Sequence, residues 1–326
     1  MDTQPPARPA LTTPVGFGDF WGEALDELRA TPADIEAESF SYPVYRQLQG
    51  HKLRFSSLGR VKLRGYSISW RDDAARPLVI HAHGYGGRVA EQWLWARSGF
   101  NVVGFDVRGF GESLAALPNR SDWGWMLTGI DDTRQYVLRG AVCDYIRASQ
   151  VGAEMFGDRT RRTVFHGFSF SGALALMSQA VTRAANVLAI GVPTFGWHEG
   201  RLKLVVHGSA VEVRRYLEAR PHDRDRVMHT LSYFDSMNFA PLIECPTLAG
   251  YGRRDIIVPP ETVLAIISHL RCPCETLSLP VSHTDEPEEA AWKHFDGAWI
   301  DMATHGVPED FGRDAPVYHI DADGRM

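Results

Sequence analysis

Three side chains that together make a nucleophile, its base and the acid that orients the base occur in order along this 326-residue chain: Ser169, Asp255 and His283. Ser169 lies in Gly167-Phe168-Ser169-Phe170-Ser171-Gly172, between the apolar run Val164-Phe165 and the helical pattern Ala173-Leu174-Ala175-Leu176-Met177. A serine on a tight strand-to-helix turn is lifted above the edge of a parallel sheet, and small neighbours leave the room that such a strained turn needs. Ser171 stands where a second glycine is usual, with Gly172 one place later. Asp255 and His283 each follow an apolar run that reads as a core strand, 248–250 and 276–279.

Serine, acid and histidine in that order is the sequence of the α/β-hydrolase triad. In that chemistry His283 takes the proton of the attacking Ser169 hydroxyl and returns it to the leaving alcohol, while Asp255 fixes the imidazole tautomer. The expected activity is acyl hydrolysis that falls in acid, because the base must be neutral. His81, His83, His166, His269 and His294 precede the elbow or fall inside helical and strand patterns, which leaves His283 as the base. Asp285 and Glu286 are too close to His283 in sequence to orient it as Asp255 can.

The developing oxyanion needs donors. The run Pro77-Leu78-Val79-Ile80 reads as a strand that opens into His83-Gly84-Tyr85-Gly86-Gly87. The backbone N–H groups of Tyr85 and Phe170 are the expected oxyanion hole.

The elements that must hold these groups follow from periodicity. Residues 17–28 carry an apolar stripe at helical spacing, and 38–70 alternates as antiparallel strands with one wet face. Short apolar strands follow at 78–81, 102–105, 164–166, 187–190, 248–250 and 276–279, separated by helical or long connections. This pattern predicts an α/β-hydrolase fold, with a mostly parallel central sheet, helices on both faces and an N-terminal helical extension. One domain is expected over 1–326, with the extension at about 15–35 and a tail at about 301–326.

Composition sets outer limits. The chain is 44% hydrophobic and 23% charged, with net charge −6 and no basic stripe, which excludes a nucleic-acid binder as the expectation. Cys143, Cys245, Cys272 and Cys274 lack zinc spacing and read as free thiols, so neither a metal nor another cofactor is expected. No leader pattern opens the chain and no apolar stretch reaches membrane-spanning length, so a cytoplasmic location without a membrane partner is the default reading.

Further stretches resemble the acetyl xylan esterase and cephalosporin C deacetylase family, carbohydrate esterase family seven. They are His83-Gly84-Tyr85-Gly86-Gly87, Asp106-Val107-Arg108-Gly109, Gly129-Ile130-Asp131-Asp132, Tyr136 to Asp144, Leu231 to Pro241, and Asp255 with Pro259-Pro260. The resemblance runs from about 17 to 299 and leaves the last residues outside. It implies removal of small acyl groups, chiefly acetyl, from small-molecule esters, namely acetylated sugars and the acetoxy group of cephalosporin C, by a metal-free triad of Ser169, Asp255 and His283, with Tyr85 and Phe170 as oxyanion donors. It also implies a homo-oligomer, commonly a ring-shaped hexamer.

The departures from the family pattern are Phe110 and Phe170 in place of glutamine, Ser171 in place of glycine, and Thr284 in place of glutamate after the histidine. Phenylalanine for glutamine near a pocket mouth predicts a substrate less polar than sugar acetates. Tyr85, Phe110 and Phe195 are the expected substrate contacts, with Trp123 and Trp125 as weaker candidates. Arg108 is expected to pair with a carboxylate under the site, Asp106 or Glu112. Two other classes stay open: a non-catalytic scaffold that binds a small molecule, and a lactonase, amidase or acyltransferase working through the same acyl-enzyme.

Overall fold

The computed structural model describes residues 8–41, 44–282, 289–314, 316–321 and 325. Their centre is one ten-stranded sheet in the order β1-β2-β3-β5-β4-β6-β7-β8-β9-β10. The strands are β1 (Glu36–Phe40), β2 (Leu48–Ser56), β3 (Lys62–Trp70), β4 (Arg76–Ala82), β5 (Asn101–Phe105), β6 (Thr160–Phe168), β7 (Val187–Gly191), β8 (Thr247–Gly252), β9 (Cys274–Leu279) and β10 (Val317–His319).

β1, β2, β3 and β5 pair antiparallel, and every pair from β5 through β10 is parallel, with Val79 opposite Val164 and Val164 opposite Val187 in the middle. The change of pattern at residue 76 has a simple cause. Parallel strands are covered on both faces and must be apolar throughout, and all five residues of β5 and of β7 are buried. β1 lies at an open edge and is polar and mostly exposed.

The helices Val137–Phe156 and Phe170–Thr182 cover one face, packing on Leu78, Ile80, Phe165 and Leu188 in the larger core. The short helix Trp93–Arg97 and the long helix Glu289–His305 cover the other face, where Val79, Val164, Leu248 and Leu277 meet Phe295 and Trp299. The N-terminal helix Phe17–Arg29 packs its apolar stripe on the body, with Phe20 and Trp21 against Phe234 at 5.7 and 5.6 Å. The expected tail is partly structured: β10 adds a parallel edge to β9, with Val317 opposite Thr276. Three exposed or half-exposed residues carry too little pattern to announce a strand. Among the described residues no helix is long and apolar enough to cross a membrane.

Candidate active site

β6 delivers Ser169 to the carboxyl end of the sheet, with Phe168 as its last strand residue. Ser169 then adopts φ 53° and ψ −111°, a conformation that costs an L residue on the order of 1–3 kcal/mol and survives only where its surroundings enforce it. They do: the Ser169 N–H donates to the Gly191 carbonyl at 2.9 Å, and its own carbonyl accepts from the N–H groups of Ala173 at 3.0 Å and Thr194 at 3.2 Å. Gly167 is required for the sharpness of the turn, since a Cβ there would sit 2.3 Å from the Ser171 carbonyl carbon.

The serine at 171 has its own task. Its buried hydroxyl accepts a hydrogen bond from the Ala82 N–H at 3.0 Å, joining the elbow to the end of β4. A glycine could not make that bond.

Phe170 opens the helix Phe170–Thr182. Its N–H has no intrahelical acceptor and lies at the positive end of the helix dipole, a place suited to an anion. Across from it, Gly84 to Gly87 form a tight turn closed by the Gly87 N–H and Gly84 carbonyl at 3.0 Å. The N–H groups of Tyr85 and Phe170 make no hydrogen bond to other described residues. The Tyr85 hydroxyl donates to Glu212 Oε1 at 2.8 Å, and Glu212 Oε2 accepts from the Met126 N–H at 3.0 Å. Burial and the neighbouring Glu212 carboxylate raise the Tyr85 pKa, so the hydroxyl keeps its proton.

Asp255 occupies the turn after β8 and is 3% exposed. Its Oδ1 accepts from the N–H groups of Ile257 and Val258, each at 2.9 Å, which fixes the carboxylate plane. The chain leaving β9 passes directly against this turn: Arg253 N–H donates to the Leu279 carbonyl at 2.8 Å, and a Cβ on Gly252 would meet the Val281 carbonyl oxygen at 2.1 Å. Val281 and Ser282 are buried there. His283 and Thr284 come next in the chain and lie outside the described residues.

Residues 6–294 match the acetyl xylan esterase (AXE1) family. The chain belongs to that family. The acetyl esterase Axe7A of Xylanibacter ruminicola is 22% identical over 286 residues, 84% of this chain and 64% of that protein, so the chain spans a little under two thirds of that relative's length. The acetyl xylan esterase of Paenibacillus sp. R4 superposes with a TM-score of 0.80 at 25% identity, covering 89% of this chain and 96% of that one. Acetyl xylan esterase 1 of Thermoanaerobacterium sp. JW/SL YS485 gives 0.81 at 22% identity, covering 90% and 95%. The α/β-hydrolase fold expected from the strand pattern is the fold of these structures.

Within this family chain two of the three expected aromatic contacts lie inward. Phe170 is fully buried and Phe110 is 5% exposed. Their rings meet at 5.9 Å and both pack on Tyr85 and Trp125, at 5.6 and 5.3 Å from Phe170 and at 5.4 and 5.2 Å from Phe110. Phe195 is also fully buried, 5.9 Å from Phe170. These rings form a packed floor under the Tyr85 loop, with Phe195 closed off and Phe110 nearly so. Of the three expected contacts only Tyr85 is half-exposed. Trp125 is core, and Trp123 is 39% exposed with its ring 5.4 Å from that of Tyr216.

Arg108 pairs with neither expected carboxylate. Its Nε and Nη2 donate to the two oxygens of Asp144 at 2.9 and 2.7 Å, and its backbone N–H adds a third bond at 3.1 Å. Asp106 instead receives the N–H groups of Val89 and Glu112 at 2.6 and 2.8 Å, and so closes the loops around His83.

Three supporting residues escape a reading of the sequence. Glu212 holds Tyr85 from 127 residues away, a separation no local pattern reveals. Asp235, inside the family-like stretch Leu231 to Pro241, accepts from the N–H groups of Trp197, His198 and Met237 at 2.9, 3.0 and 3.0 Å. It thereby pins the segment in which Phe195 and Trp197 take φ 64° and 51°, although burial pushes its own pKa up to about 6. Arg201 is buried over the Phe195 ring at 4.9 Å and donates to Ser209 Oγ at 2.6 Å, and burial lowers its pKa to about 10.

Proposed function

We propose that this chain is a serine carboxylic ester hydrolase that removes small acyl groups, acetyl above all, from alcohols. The observation that carries the reading is the backbone at Ser169, forced to positive φ at the junction of a buried strand and a helix whose first N–H is Phe170. Strain of this kind concentrates at functional sites, and membership of the acetyl xylan esterase family supports the same chemistry.

In this mechanism the Ser169 hydroxyl oxygen attacks the ester carbonyl carbon while His283 accepts its proton. The carbonyl oxygen becomes an oxyanion that receives hydrogen bonds from the Tyr85 and Phe170 N–H groups. Collapse breaks the carbon–oxygen bond to the alcohol, which leaves with the proton from His283, and the acyl group stays on Ser169. Water then repeats the attack with the same base and frees the acid. Asp255, already held by two backbone donors, keeps the imidazole oriented and stabilises its positive charge.

The test is hydrolysis of 4-nitrophenyl acetate, butyrate and octanoate by the protein and by Ser169→Ala. Loss of a triad serine costs about a million-fold in turnover, so the activity is expected to vanish in the variant, with acetate preferred over the longer chains. Equal rates in the two proteins would overturn the assignment of Ser169 as nucleophile.

A further inference from the structure

Between the N-terminal segment 8–12 and the helices His198–Leu204 and Arg224–Ser232 there is a cavity of about 390 Å³, bounded chiefly by Pro9, Ala10, Trp197, His198, Met228 and Asp235. None of the residues assigned to catalysis lines it. Hydrogen bonds across long separations fix its walls. His269 Nδ1 accepts from Arg8 Nε at 3.1 Å, so His269 Nε2–H donates to the Pro9 carbonyl at 2.8 Å, and the Thr12 N–H donates to Asn238 Oδ1 at 3.0 Å. The Trp197 ring lies against Gly200, where any Cβ would collide with it.

His198 is the anomaly there. It is 2% exposed, and its Nδ1 has no hydrogen-bond partner among the described residues. Buried polar atoms are nearly always paired, so the open nitrogen calls for a complement. Burial keeps the imidazole neutral, its pKa lowered to about 3, so the ring carries one proton. Nε2 lies 3.4 Å from the Phe234 carbonyl, which can only accept, and this places the proton on Nε2 and leaves Nδ1 an acceptor.

The rest of the lining narrows the complement. The buried Asp235 carboxylate also accepts, and already takes three backbone N–H groups. Pro9, Ala10, Trp197 and Met228 give apolar surface, with an indole and a thioether suited to a flat ring. Asp235 and Glu199 in the wall are balanced by Arg8 and by the Arg201 guanidinium, whose field reaches both His198 and Asp235. An ion of either sign therefore gains little. The complement is neutral: an apolar ring that carries an O–H or N–H donor.

The cavity lies behind the segment that braces the nucleophile. Trp197 and His198 hang by their N–H groups from Asp235, the Ser236 hydroxyl donates to the Thr194 carbonyl at 2.7 Å, and the Thr194 N–H donates to the Ser169 carbonyl at 3.2 Å. Val192, Phe195 and Trp197 take φ 41°, 64° and 51°, strain that persists only where the surroundings enforce it. A ligand in the cavity adds to that enforcement.

We propose that this cavity is an effector site for a small neutral aromatic molecule with a hydroxyl or ring N–H, such as a phenol, and that its occupation stiffens residues 192–198 behind Ser169. The binding stands apart from the hydrolase reading above, and the effect on turnover rests on it.

Titration calorimetry of the unaltered protein with phenol and with anisole, the same ring without a donor, tests the binding. Phenol is expected to bind saturably and at least about fivefold more tightly than anisole, the worth of one hydrogen bond, and His198→Phe to remove the difference. Ala10→Trp, at an exposed wall position, is expected to fill the cavity and weaken phenol by a similar factor, which keeps the test valid if His198→Phe does not fold. Equal affinities for the two ligands, or phenol binding unchanged by Ala10→Trp, would overturn the site. Hydrolysis of ethyl acetate, followed by pH-stat, releases no phenol of its own and tests the coupling. Phenol is expected to raise kcat at least twofold in the unaltered protein and to leave it unchanged in Ala10→Trp. A raised KM with unchanged kcat would mean that phenol enters the ester site, and would overturn the effector role. Absence of ester turnover in the unaltered protein would overturn the hydrolase reading instead, with the phenol titration still deciding the site.

Discussion

The Tyr85 hydroxyl and Glu212 Oε1 are 2.8 Å apart, linking the loop that carries one expected oxyanion donor to a helix 127 residues away. The other oxygen of Glu212 ties down Met126, so one carboxylate sets the position of two loops.

Removing that anchor should hurt turnover more than binding, because the Tyr85 N–H matters most when charge develops on the substrate. Losing an oxyanion donor costs about 100- to 1,000-fold. Glu212→Ala, which only loosens one, is expected to lower kcat about 10- to 100-fold with KM little changed. Glu212→Gln, which can still accept from Tyr85, should recover most of the loss, as steady-state kinetics with 4-nitrophenyl acetate will show.

Ser171→Ala should destabilise the fold. It removes the acceptor for the Ala82 N–H and leaves that group unpaired beside a buried elbow. The cost of such an orphan is about 1–3 kcal/mol. Urea unfolding of the variant beside the unaltered protein measures it, and a difference near zero would mean the Ala82 N–H finds another partner.

The Arg108 and Asp144 pair predicts a steep asymmetry. Asp144 is fully buried and supplies both oxygens to Arg108, so Asp144→Ala strands a guanidinium and should cost about 3–5 kcal/mol. Replacing both together, Arg108→Met with Asp144→Leu, should cost much less than Asp144→Ala alone. Thermal melts of the three proteins decide between this and two independent contributions.

Acid should unfold the protein through its buried histidines. His81, His166 and His198 all have pKa values lowered to about 3 by burial, against the 6.5 of an imidazole in water. Below pH 6.5 the unfolded chain therefore binds protons that the folded one refuses. Their contribution to stability is complete above 6.5 and is lost as pH falls toward 3. Each contributes a slope of about 1.4 kcal/mol per pH unit in that window. Urea unfolding at pH 7, 6 and 5 should show stability falling, with a shallower fall in His198→Phe. Asp235, raised to about 6, opposes this trend, since its carboxyl takes a proton more readily in the folded state.

What the sequence determined by itself was what short-range rules write into neighbouring residues. Gly167 and Gly172 around Ser169 announced the elbow because only small residues tolerate that turn. Unbroken apolar runs announced parallel strands because both of their faces are buried, and alternation over 38–70 announced the antiparallel ones. Tertiary structure alone decided which way side chains face and whom they meet across long separations. Phe110 and Phe170 were legible as aromatic, yet only packing shows them turned inward against each other. Arg108 was legible as a cation paired under the site, yet its partner proved to be Asp144 on the helix beneath it, with Asp106 nearer in sequence and otherwise engaged. Glu212 under Tyr85 and the unpaired Nδ1 of His198 left no mark in local pattern, because such contacts are fixed by how strands and helices stack, and sequence spacing does not encode that distance.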